Sequence, residues 1–155
     1  MSILDDIIGH LTERSIPFKA IHHEPTHTSE ASAKARGEDI SVGGKAIVLK
    51  VDEDFKLFVL SAALKVDSQK IREHFKAKKT RFATPEELMR LTGLVPGSVP
   101  PFGRPFIDLD LYVDPSITRN DIIAFNAGSL TDSIVMSTKD YFSMAQPMML
   151  DFSQR

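Results

Sequence analysis

The alternation of apolar and polar positions divides this 155-residue chain into short helices and strands. Ile3, Leu4, Ile7, Ile8 and Leu11 recur at helical spacing, so residues 2–14 predict an amphipathic helix that Pro17 stops. Residues 18–21 read as a short strand. Thr28 or Ser29 can cap a second helix, rich in alanine (Ala31, Ala33, Ala35) and closed at Gly37. Two apolar, β-branched runs follow, 46–51 and 56–62, and the polar turn Asp52-Glu53-Asp54 between them predicts a hairpin. Asp67 or Ser68 caps a helix over about residues 69–76, and 79–82 is another short strand. Thr84-Pro85-Glu86-Glu87 supplies a capping hydroxyl, a proline at the first helical position and a glutamate at the third, the marks of a helix start; this helix ends at Gly93.

Further on, Ile107, Leu109, Leu111 and Val113 alternate with Asp108, Asp110 and Tyr112, as in a half-exposed strand, and Asp114-Pro115-Ser116 makes a turn. Residues 121–125 and 133–136 predict two more strands, and Ser137 caps a last helix to Met144. Hairpins and helices are interspersed without a regular βαβ repeat. The pattern therefore predicts one α+β domain over residues 1–155, not a doubly wound sheet.

Between the fourth helix and the 107–113 run lies a stretch that fits neither element. Residues 93–103 hold three glycines (Gly93, Gly97, Gly103) and three prolines (Pro96, Pro100, Pro101), a composition for a stiff loop with accessible backbone amides. Leu94, Val95, Val99 and Phe102 are interleaved, which packs the loop on a core. Such a loop can wall a site for a small polar ligand. Taken on its own, it reads first as a helix cap at Gly93 followed by a structural crossover.

Composition narrows the function classes. The chain is 42% hydrophobic and has no cysteine, so disulfides, thiolate zinc sites and a cysteine nucleophile are excluded. The N-terminal helix carries Asp5, Asp6 and Glu13 and lacks the cationic start and apolar run of a secretion signal, and no stretch has the length of a membrane span. A cytoplasmic protein with no membrane partner is expected. The formal net charge is −2, yet seven basic residues stand against two acidic ones between Lys65 and Arg81. That local excess suits docking to a phosphate backbone, or is a solvated helix face.

Gly43-Gly44-Lys45 offers glycine amides and an ammonium, but it is no phosphate-binding P-loop. Asp39 stands where the fingerprint needs its first glycine, Ala46 follows the lysine, and a strand follows where a helix is needed. Lys45 by itself could be a surface lysine with a buried stem. His23 and His27 have metal-ligand spacing, but Pro25 between them breaks the helix such a pair needs, so no metal site is expected. No Gly-x-Ser-x-Gly elbow marks a nucleophilic serine. Asn126-Ala127-Gly128-Ser129 sits at a strand end and could be a plain turn.

Taken together, Thr28-Ser29-Glu30-Ala31, the run Gly44 through Lys50, Val66-Asp67, Thr92-Gly93 through Gly103, and Phe125-Asn126-Ala127-Gly128 resemble the YbaK/prolyl-tRNA synthetase-associated domain family over about residues 18–144. The resemblance implies a mixed, mostly antiparallel sheet curved toward a barrel, with helices around it. It also implies hydrolysis of the ester joining a wrong, small amino acid to tRNA. Lys45 matches the family lysine that holds a phosphate near the terminal adenosine, and Gly97 the loop glycine whose backbone faces the aminoacyl carbonyl. Pro100 and Pro101 would fix that loop, with Ser98 beside it. Thr28 and His23 lie where members line the amino-acid pocket, and Asn126, Gly128 and Ser129 match a small-residue turn beside the site. Some subfamilies carry a histidine-proline pair where this chain has Asn126-Ala127, a difference that bears on which amino acid is removed. The implied partners are the 3′ end of an aminoacyl-tRNA and an aminoacyl-tRNA synthetase; no cofactor is called for. Two other readings fit the same residues. One is a non-catalytic regulatory module that binds tRNA or a synthetase, the other a hydrolase of small aminoacyl esters or phosphorylated metabolites.

Overall fold

The computed structural model describes residues 2–26 and 28–154. Helix α1 (Ile3–Glu13) is capped by Ser2 and buries Ile7 and Leu11. Strand β1 (Phe18–His22) leads to α2 (Ser29–Arg36), which Thr28 caps by accepting from the Ala31 amide and Gly37 closes in the left-handed region at φ +71°. A 3-10 turn, Ile40–Val42, delivers the chain to the hairpin of β2 (Gly44–Val51) and β3 (Asp54–Ser61). Then come α3 (Ser68–Phe75), β4 (Thr80–Phe82), α4 (Pro85–Thr92), β5 (Leu111–Val113), a 3-10 turn at Pro115–Arg119, β6 (Ile122–Asn126), β7 (Asp132–Ser137), α5 (Thr138–Ala145) and β8 (Met148–Met149). The cap signals place the helices well: the Thr84–Glu87 capping box is formed, and Arg81 grips the Glu87 carboxylate with both guanidinium nitrogens.

The α+β class and the mixed, mostly antiparallel pairing are as expected. In place of one curved sheet there are two, in the orders β1-β7-β6 and β4-β2-β3-β5-β8, and no closed barrel. They touch through a bridge between Gly43 and Ala124. The 107–113 strand is a correction, because only Leu111–Val113 pairs. Its alternation is kept, with Ile107, Leu109 and Leu111 buried, but the first half is a turn folded onto the Gly103 carbonyl. Arg104 draws Asp108 and Asp110 together at 2.7 Å each, which curls the backbone away from a ladder. The pair β8, parallel to β5, has no counterpart among the expected strands.

Alternation on the hairpin sorts the core into two layers. Val48, Leu57 and Val59 face a large cluster shared with Ile123, Phe125 and Ile134 of the second sheet and Ile7 of α1. Leu49, Val51, Phe58 and Leu60 face the other way, under Ile71 of α3 and Phe152. Among the described residues no helix is long and apolar enough to cross a membrane.

The C-terminal segment that brings Phe152 into the second layer is held by Asp114, 1% exposed. Its carboxylate accepts from the amides of Phe152 (2.9 Å), Ser153 (3.1 Å) and Ser116 (2.9 Å) and from the Ser153 hydroxyl (3.1 Å). Burial pushes this carboxyl up, but the hydrogen bonds from Ser116, Phe152 and Ser153 outweigh it and leave it below the usual carboxylate range. A depressed folded value means that the charge stabilises the fold above the unfolded carboxyl's range, and that this contribution is lost as pH falls through the folded value. Asp114→Asn is therefore expected to cost about 1.5–3 kcal/mol at neutral pH. In urea unfolding, the gap to wild type should narrow on acidification; a gap constant with pH would show that the charge is not what holds the segment.

Candidate active site

At the start of β2 the chain needs glycine. A Cβ on Gly44 would sit 2.7 Å from Cδ1 of Ile123, and one on Gly43 would meet Ala62 at 3.0 Å and the Arg36 guanidinium at 3.4 Å. Without side chains there, β6 and Arg36 lie directly against the strand, and a cavity of about 230 Å³ opens beside it. Three elements wall it: the Gly43–Ile47 segment, the α2 face carrying Ser29, Ser32 and Arg36, and the loop and strand residues Gly97 and Asn126.

Lys45 is half-buried, and its Nζ donates to the Leu64 carbonyl at 2.9 Å. Burial lowers its pKa below the ordinary lysine value; Glu30 pulls the other way, and neighbouring Lys65 adds to the lowering. Gly97 adopts φ +89°, in the left-handed region where glycine carries no Cβ penalty. Its carbonyl accepts from Asn126 Nδ2 at 2.8 Å, while its own N–H meets no acceptor among the described residues. The next peptide is tied as well, with the Ser98 amide donating to the Val95 carbonyl at 3.1 Å. Farther along the loop, the Tyr141 hydroxyl donates to the Pro101 carbonyl at 2.6 Å. The loop is thus held from behind, and the Gly97 amide is left for a guest.

Of the residues singled out from the sequence, Lys45, Gly97, Thr28 and Asn126 line this cavity together. His23, Ser98, Pro100, Gly128 and Ser129 do not. His23 binds the Glu24 carbonyl through Nδ1 and the Ser133 hydroxyl through Nε2, each at 2.8 Å. Ser98 is 2% exposed, its hydroxyl donating to the Val95 carbonyl and its own carbonyl accepting from the Gly128 amide at 2.9 Å. Pro100 is buried, and Gly128 packs on Ile3. Ser129 donates to Asp132 at 2.9 Å. His27 lies outside the described residues, and among those described no three His, Cys, Asp or Glu side chains gather as a metal site would need.

Sequence reasoning passed over Arg36, Ser32 and Thr26. Arg36 is 8% exposed and donates through Nη1 to Asn126 Oδ1 at 3.4 Å and to the Ser133 hydroxyl at 3.3 Å. The Thr26 and Ser32 hydroxyls are hydrogen-bonded at 2.8 Å. The available signal was the i, i+3, i+7 spacing of Ser29, Ser32 and Arg36 on a helix otherwise rich in alanine. Among the described residues the only ionisable side chains in the wall are cations, Arg36 and Lys45.

The aminoacyl-tRNA editing domain model matches residues 23–144 of this chain. The chain belongs to the aminoacyl-tRNA editing domain family. Among curated proteins of this editing family, the Escherichia coli (strain K12) protein named multifunctional Ser/Thr-tRNA deacylase ProXp-y is 35% identical over 152 residues, covering 94% of this chain and 90% of the relative. A proline–tRNA ligase of Shouchella clausii is 33% identical over 100 residues, 64% of this chain but 17% of the ligase. The editing fold is also found in a crystal structure assigned to a trans-editing enzyme for prolyl tRNA synthetase, with TM-score 0.84 and 23% identity over 100% of this chain and 99% of that one.

The Gly97 geometry predicts a cost for any side chain there. Gly97→Ala puts an L-residue at φ +89° with its Cβ 3.4 Å from Leu130, so urea unfolding should show a loss of roughly 1–2 kcal/mol. An unchanged midpoint would mean that the loop does not hold this turn.

Proposed function

We propose that this editing-family chain is an aminoacyl-tRNA deacylase whose cavity receives the 3′ end of a mischarged tRNA and hydrolyses its ester to serine or threonine. The observation that carries the reading is that Lys45 and Gly97, whose amide has no acceptor among the described residues, line one small cavity. The name of the E. coli relative, similar along nearly its whole length, supports the hydroxyl amino acids as the class removed.

The chemistry follows from what the wall contains. A water oxygen adds to the ester carbonyl carbon, and Gly97 N–H donates to the oxygen on which negative charge develops. The ester bond then breaks; the ribose oxygen leaves with a proton and free amino acid departs. Among the described residues no carboxylate or imidazole lines the cavity; the proton is carried by water and the neighbouring ribose hydroxyl of the substrate. Lys45 anchors the terminal phosphate. An ester is already activated, and positioning with one well-aimed donor suffices for its hydrolysis.

The rest of the tRNA is met by the basic α3–β4 region. Lys70 pairs with Asp151 and Arg81 with Glu87, but Lys65, Lys76, Lys78 and Lys79 are exposed and make no ion pair among the described residues. Lys65 acts electrostatically on Lys45, which joins this surface to the cavity. The match to part of a proline–tRNA ligase supports a synthetase as the partner that supplies mischarged tRNA.

The test is a panel of mischarged tRNAs carrying serine, threonine, alanine, cysteine and proline. Seryl and threonyl esters should be released faster than in buffer; survival of every ester at the buffer rate would leave a binding module. Lys45→Ala should lower kcat/KM by ~10–100-fold with an unchanged unfolding midpoint, since a hydrogen bond to a charged group is worth about 1.5–3 kcal/mol. KM for aminoacyl-tRNA should rise with salt as phosphate contacts weaken, and a salt-independent KM would detach the α3–β4 surface from the substrate.

A further inference from the structure

We infer that Arg36, with Ser32 and Asn126 beside it, forms a subsite that reads the side-chain hydroxyl of the amino acid being removed. The inference rests on the deacylase reading above and deepens it. Arg36 is more than nine-tenths buried and makes no ion pair among the described residues. Its Nη1 makes two long contacts, to Asn126 and Ser133, and its Nε has no acceptor at all among the described residues. A buried donor without a partner is costly, and so is a buried guanidinium that the charge of Glu38 offsets without forming an ion pair. On a helix as rich in alanine as α2, an apolar side chain would fill this place without either penalty. Nε is itself enclosed, but the under-bonded guanidinium lines the cavity, where its remaining donors are placed to serve a guest.

The surroundings say what kind of guest. A hydroxyl needs a donor for its oxygen and an acceptor for its hydrogen. The guanidinium supplies the donor. Thr26 donates to the Leu130 carbonyl at 3.4 Å, so Ser32 donates to Thr26 at 2.8 Å; Ser32 also accepts from Asn126 Nδ2 at 3.4 Å, which leaves its hydroxyl one further lone pair. A phosphate or carboxylate would use only donors and has Lys45 elsewhere in the wall.

The subsite also lies where the substrate's side chain would reach. Asn126 joins the two ends of this region, its Oδ1 accepting from Arg36 while its Nδ2 donates to the Gly97 carbonyl. The hydroxyl of serine or threonine is three bonds from the ester carbonyl carbon, so a carbonyl held at Gly97 brings that hydroxyl toward Arg36. Ala46, Val99 and Phe125 supply apolar wall for the threonine methyl. A site built to bond a hydroxyl discriminates strongly against the analogue that lacks it, because its own polar groups are then left unpaired.

The experiment compares kcat/KM for seryl, threonyl and alanyl esters on one tRNA, with wild-type protein, Arg36→Met and Arg36→Lys. In the methionine variant, seryl and threonyl hydrolysis should fall roughly 10–100-fold while alanyl hydrolysis changes little, so the seryl-to-alanyl ratio collapses. Arg36→Lys keeps the charge and covers the case of a methionine variant that does not fold. It should also lower the ratio, since an ammonium lacks the planar fork. Equal losses on all three esters, or an unchanged ratio in the folded variants, would overturn the subsite and leave the deacylase reading standing. Wild-type protein that released none of the three would overturn both.

Discussion

The two sheets meet at a pair of residues with no side chain, Gly43, which bridges to Ala124, and Gly44. Gly44 lets Ile123 of β6 reach the backbone of β2, a contact that even a methyl group would block at 2.7 Å. Everything at the cavity depends on this approach. It brings Asn126, at the end of β6, within reach of the Gly97 carbonyl, and it lets the Arg36 guanidinium slide beside Gly43. With the sheets held apart by a Cβ, the strand bearing Lys45 and the loop bearing Gly97 would no longer share one hollow.

The loop shows how a site can be rigid without being part of a sheet. Residues 95–101 are fixed by bonds to their backbone oxygens: Asn126 on Gly97, the Ser98 amide and hydroxyl on Val95, the Gly128 amide on Ser98 and Tyr141 on Pro101. Tyr141 is completely buried, and burial pushes its phenol well above the ordinary value, so it remains a neutral donor. Carbonyls are engaged while the Gly97 N–H is not. A donor set in place before the substrate arrives needs no reorganisation as charge develops on the substrate.

Much of this fold was legible in the sequence because its signals are local. Helix ends follow from Thr28, Asp67, Thr84 and Ser137, whose oxygens accept the amides the pattern assigns to them. The hairpin follows from alternation, and the two core layers fall on its two faces. Where the reading failed, alternation and pairing had parted company: at 107–110 the buried residues alternate as in a strand, but an arginine fork rather than a neighbouring strand sets the backbone. At the site, Lys45, Thr28, Gly97 and Asn126 were marked by the motifs they sit in. Ser98 and Gly128 were marked by the same motifs, yet face away from the cavity and brace the loop, because spacing along a chain does not say which side of a loop a residue takes. Arg36 went unnoticed for a related reason. An arginine in the last turn of a short helix is ordinarily a partner for the helix dipole, and only the tertiary fold turns this one inward.

Charge accounts for the division of labour in the wall. Lys45 and Arg36 are both lowered from their ordinary values, in each case chiefly by burial, so the cavity holds two cations at a disadvantage. Glu30 partly offsets this for Lys45 and Glu38 for Arg36, but among the described residues no carboxylate lines the wall itself. A catalytic carboxylate placed there to act as a base would be drawn into an ion pair with one of them and lose basicity. Two cations, one buried and one half-buried, and a Gly97 amide with no acceptor among the described residues suit a guest that carries its own negative charge at one end and polar oxygens at the other. The aminoacylated end of an RNA has both, and a neighbouring hydroxyl to manage its own proton. On the proposed reading, the absence of a side-chain base among the described lining residues goes with the same electrostatics that would hold the substrate.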